Sequence, residues 1–114
     1  MSNSTPQTPS PFQAAKSKML ERQAREAAVR LHHSQVAAIA LEHPVVVRYM
    51  GKANEADQKI VLSALAIFAG KSDVDKPFKH LVSLSLRGVK DPGLKRLLSM
   101  ALEDGGRMAT DFSS

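Results

Sequence analysis

From Phe12 to Leu41 the chain has neither proline nor glycine, and small or apolar side chains recur at spacings of four and three: Leu20, Ala24, Ala27, Leu31, Ser34, Ala38 and Leu41. That spacing is one face of a helix. The intervening residues are mostly Ala, Glu, Arg, Lys, Gln and Leu, which favour helix strongly. Glu21 precedes Arg25, and Glu26 precedes Arg30, by the four residues at which helical ion pairs form. One long helix is therefore expected, ending near Glu42-His43 because the following Pro44 disfavours helical geometry before it. Its Ala-rich stripe is expected to pack on the chain's own later helices. The same stripe also offers a close-approach surface for homodimerisation.

The pattern then shortens. Pro44 to Gly51 contains three successive valines and Tyr49, which suit a strand. No second strand exists to pair with it, and proline first with glycine last suits a short helix, which is the expectation adopted. Asn54 is placed to cap a further helix, with Glu55 and Asp57 in its first turn. Ile60 to Ala69 is apolar apart from Ser63, which predicts a central helix surrounded by protein and closed by Gly70. Pro77 opens another helix carrying Phe78, Leu81, Val82, Leu84 and Leu86, stopped by Gly88. Asp91 caps a last one, with Pro92 first and Leu94, Leu97, Leu98, Ala101 and Leu102 along one side. Gly105-Gly106 is expected to end it.

These elements predict an all-α fold: a small bundle of four to five helices led by one long N-terminal helix, behind a disordered N-terminal tail. Residues 1–11, rich in Ser, Thr and Pro and uncharged, form that tail. Residues 12–104 form a single helical domain, and 105–114 a flexible C-terminal tail. The 114 residues suffice for one modest core. With four Phe, one Tyr and no Trp, that core must be aliphatic, and Met50 and Met100 are expected to fill gaps in it.

Absence of cysteine removes disulfides, thiolate metal ligands and a cysteine nucleophile. No segment approaches the ~20 apolar residues of a membrane span, so membrane insertion is not expected. The N-terminus lacks the charged and apolar regions of a secretory signal, and a cytoplasmic location is the default expectation.

Charge changes the picture most. The net charge of +5 is matched by one stretch, in which Lys76, Lys79, Arg87, Lys90, Lys95 and Arg96 face only Asp91. Elsewhere ten basic residues balance ten acidic ones. These six cations are the candidate binding residues, a basic face for an acidic macromolecule. The helix pair over 77–87 and 92–103 invites comparison with a DNA-binding helix-turn-helix, Lys95 and Arg96 standing near the start of the second helix. Against it, Asp91 would face the phosphates, and Pro92-Gly93 occupy positions that usually carry base-reading side chains.

Other chemistry is thin. His32 and His33 are expected on different faces of the long helix, one or other of them at the surface, and no histidine, His43 and His80 included, completes a metal-binding spacing. Asp73 with Asp75, and Glu103 with Asp104, sit in loops or helix ends, where acids cap and solubilise. Ser63 lacks a nucleophile-elbow context and is expected to bond a carbonyl one turn back. No catalytic residue, metal ligand or cofactor is assigned. The expected function is a small non-enzymatic helical binding or adaptor protein, docking on a protein or other acidic macromolecule through the basic C-terminal face and the long helix. The alternative is a nucleic-acid-binding accessory or regulatory protein using the helix pair.

Overall fold

In the computed structural model the described residues are 10–113, with side chains described as far as Ala109. Ser10 accepts a hydrogen bond from the Gln13 amide (3.2 Å) and starts α1, Pro11–Leu41, one residue before the expected boundary. The remaining helices are α2 (Pro44–Lys52), α3 (Glu55–Ala69), α4 (Phe78–Ser85) and α5 (Pro92–Ser113). No strand occurs among the described residues, so the all-α reading is correct. The expected N-terminal tail lies, as far as residue 9, outside the described residues.

Caps follow local chemistry. His43 Nδ1 accepts from the Val45 amide (3.2 Å), so α2 begins at Pro44 despite its three valines, and Val46 is fully buried. Asn54 caps α3 as expected, accepting from the Asp57 amide (2.8 Å). Gln58 then reaches back to the carbonyls of Met50 and Ala53 (2.9 and 3.2 Å), fixing the α2–α3 corner.

The core is a single cluster. Val36, Ala37 and Ala40 from α1 meet Val61, Ala64, Leu65 and Phe68 from α3, Leu81 and Val82 from α4, and Leu94, Leu98, Ala101 and Leu102 from α5. The most extensive packing joins the first helix to the last. It is possible because α5 does not stop at Gly105-Gly106, and this corrects the expected tail over 105–114. A β-carbon at position 105 would stand 2.8 Å from the Val36 carbonyl oxygen; at 106 it would stand 2.9 Å from the Phe78 ring. The two glycines are where α1 and Phe78 press on α5. They are close-approach residues inside a helix, and a Gly-Gly pair read in sequence alone looks like a stop.

Two further expectations change. α3 is not surrounded by protein, for Ile60 and Ile67 are exposed on one flank of its buried face and Leu62 on the other. Met100 is likewise exposed, while Met50 packs against the core as expected. No described helix is long and apolar enough to cross a membrane.

Candidate interaction site

The long helix carries the largest correction. The expected core stripe of α1 (Leu20, Ala24, Ala27, Leu31, Ser34, Ala38, Leu41) is exposed at every position. Leu20, Leu31 and Leu41 retain 51%, 62% and 38% of their accessible surface. The buried positions are His33, Val36, Ala37 and Ala40. At 100° per residue the centres of the two sets lie about 140° apart around the helix. α5 and α3 take the second set because Val36 and Ala40 fit over Gly105, and because His33 provides both a ring and a hydrogen bond.

α1 is also longer than the bundle it serves. Its 31 residues span about 46 Å. From Pro11 to Ala28 every residue except Ala14 and Glu26 is exposed, so more than half of the helix is an arm. On the arm's other side the core face is replaced by Lys18, Arg22 and Arg25. The ion pair formed there is Arg22 with Glu26 (2.9 Å), not the expected Glu21–Arg25 or Glu26–Arg30. Hydrogen bonding to Glu26 raises the Arg22 guanidinium above its ordinary pKa.

All six candidate cations are exposed. Lys76, in the α3–α4 connection, lies 3.7 Å from Asp73 and is partly neutralised by it. Lys79 is in the first turn of α4, and Arg87 lies in the turn that follows the helix, just past its C-cap Leu86. Lys90 lies in the α4–α5 connection. Lys95 and Arg96 are in the first turn of α5 and point about 100° apart.

The helix pair anticipated for nucleic-acid reading is present as α4 and α5. Asp91 Oδ1, however, accepts from the Gly93 amide (2.9 Å), so a carboxylate occupies the anion-attracting end of α5. Further along, Leu94, Leu98, Ala101, Leu102 and Ala109 are committed to the core.

Histidines do structural work that the sequence reading missed. His33 is buried at 5% exposure, its Nδ1 lies 2.7 Å from the Lys71 carbonyl, and its ring packs on Phe68 with centroids 4.8 Å apart. His32, on the neighbouring face, is half-buried; its ring is 6.0 Å from that of His33, and both border a groove with Asp73 and Val74. No cluster able to hold a metal ion exists among the described residues. His43 uses both ring nitrogens. Nδ1 accepts the Val45 amide, so Nε2 bears the proton and donates to Asp104 Oδ2 (3.0 Å). Asp104 also pairs with Arg107. The hydrogen bond from His43, aided by Arg107, holds the Asp104 carboxyl below its usual pKa. Neither nitrogen of His43 is left to serve as a base.

Ser63 is exposed, and the serine that bonds back along its helix is Ser85, whose Oγ donates to the Leu81 carbonyl (2.8 Å) from inside the core. A usable signal for Ser85 was its position four residues after Leu81 on the apolar side of α4. For His43 the signal was its place immediately before a proline that starts a helix.

Comparison with protein-family models, with curated proteins and with solved structures returns no match.

Proposed function

We propose that this chain is a non-enzymatic binding or adaptor protein that docks on another macromolecule. The observation that carries the reading is α1: besides the face its own bundle covers, it carries a second, exposed stripe with Leu20, Leu31 and Leu41, and this chain supplies a partner only for the first. The exposed cations Lys79, Arg87, Lys90, Lys95 and Arg96 supply a second contact, suited to an acidic protein surface. A protein partner is favoured over nucleic acid because the Asp91 carboxylate takes the Gly93 amide at the start of α5, where a phosphate would sit. Support for a non-catalytic role comes from the one His–carboxylate pair among the described residues. Its two ring nitrogens are spent on a helix cap and on Asp104.

The test is capture from lysate by the parent and by the doubly reversed Lys95→Glu, Arg96→Glu chain, with and without nuclease. Both residues are exposed, so the variant keeps its fold, checked by its melting temperature. A partner retained after nuclease and lost with the reversed chain supports the reading. Capture abolished by nuclease, with affinity falling steeply as salt rises, replaces it with nucleic-acid binding. Equal capture by both chains removes the basic residues from the interface.

A further inference from the structure

We infer that the exposed stripe of α1 is the seam of a parallel, in-register, two-stranded coiled coil between two copies of this chain. This rests on the reading of α1 as a docking element and names its occupant.

Three observations lead there. The first is phase. Leu20, Ala24, Ala27, Leu31, Ser34, Ala38 and Leu41 keep the alternation of four and three without a break for three heptads, about 32 Å of helix. A single core contact or a membrane-surface helix has no need of that regularity. Half of the seam, moreover, lies on the part of α1 that the bundle holds from behind, which would press the bundle against a membrane. The alternating Ala positions suit the close approach of a second helix. Residues 1–9 cannot cover the seam themselves, since Met1 is their only large apolar side chain.

The second observation is flanking charge, which also selects the direction. With Leu20 at position d, Lys16 falls at g and Glu21 at e. A parallel pair sets each Lys16 beside Glu21 of the second copy, twice by symmetry, and aligns no like charges across the seam. Two antiparallel registers would interlock Leu with small residues. One places Arg30 against Arg30, the other Glu21 against Glu42. The third antiparallel register, Leu20 on Leu31, leaves Leu41 without a partner.

The third observation is area. Seam and flanking positions over three heptads would remove about 600 Å² from each copy and about 1,200 Å² in all, the lower edge of the range for specific interfaces. A reversible dimer of moderate affinity follows, with the two bundles on outer sides of the pair and their basic faces free.

The protein lacks cysteine, so a single introduced thiol reports geometry cleanly. In the parallel pair Ser34 faces Ser34; in none of the three antiparallel registers does it. The measurement is molecular mass by sedimentation from about 1 µM to about 1 mM, bracketing moderate affinities. It is made on the full chain and on Leu31→Glu, whose side chain is exposed and outside the core. We expect dimer formation in the parent, at least tenfold weaker association for Leu31→Glu, and oxidation of Ser34→Cys to a covalent dimer. Lys16→Glu should weaken the pair, and adding Glu21→Lys should restore it.

A parent that stays monomeric throughout overturns the inference, as does a dimer indifferent to Leu31→Glu. A dimer whose Ser34→Cys form does not cross-link overturns the parallel arrangement. If the parent is monomeric and Leu31→Glu nevertheless abolishes capture from lysate, the second copy is wrong while the docking role of α1 stands.

Discussion

At the scale of single residues, identical substitutions should have opposite effects depending on what lies above the backbone. Gly105→Ala places a methyl group 2.8 Å from the Val36 carbonyl oxygen, which outweighs the gain in helix propensity. A loss of about 1–3 kcal/mol in urea unfolding is expected. Gly51→Ala, with nothing within 4 Å and at the last residue but one of α2, should gain about 0.5–1 kcal/mol in the same measurement. Two leucines of α3 give a parallel contrast. Leu65→Ala empties a buried site and should cost about 2–5 kcal/mol. Leu62→Ala, three residues away and exposed, should cost under about 1 kcal/mol. Asp104 ties stability to pH. Its carboxyl is held below the ordinary value of 3.8, so its contribution is complete above that value and is lost as pH falls through the lowered one. Thermal melts of the parent and of Asp104→Asn should therefore differ at neutral pH and converge in strong acid.

At the scale of elements, α1 combines two helices of different origin. Residues 33–41 are held by α3 and α5, whereas 11–28 are held by propensity, the Ser10 cap and the Arg22–Glu26 pair. Hydrogen exchange on the Leu31→Glu chain, which should be monomeric, is expected to show little protection over 11–28. Protection over 33–41 should exceed it by more than about a hundredfold. The existence of all five helices was legible from sequence because proline, glycine and cap residues punctuate them at Pro44, Asn54, Gly70, Pro77 and Asp91. Which face of α1 points inward was not. Seven positions in strict phase outweigh four on paper, yet the four include Val36 and Ala40, whose backbone lies against Gly105, a contact that only the folded chain shows. The same limit hid the end of α5, since Gly105 reads as a stop unless its neighbour from α1 is known. Of the candidate site, the six cations were legible as exposed residues, because Lys and Arg seldom bury. Their placement on separate elements was not, because it depends on how α4 and α5 are set in the bundle.

At the scale of the molecule, the arm sets the shape. The chain measures 73 × 28 × 21 Å with a radius of gyration of 19.5 Å, against about 13 Å for a compact chain of roughly this length. Small-angle scattering of the Leu31→Glu chain at low concentration should return the larger value; a value near the compact one would mean that the arm folds back. The packing of α1 on α5 has one more consequence, and it concerns synthesis. α1 is made before α5 and needs it: Val36 and Ala40 meet their glycine, and His43 its carboxylate, only across sequence separations of 61 or more. A nascent chain that has not yet reached residue 105 has α3 to set against α1, but it leaves uncovered both the surface that α5 takes and the outer stripe. Closing so wide a loop is slow relative to forming the local helices, and an exposed apolar helix is prone to association while it waits. Chains ending before Gly105 should therefore be recovered as aggregate or degraded fragments, while chains that reach Ala109 fold.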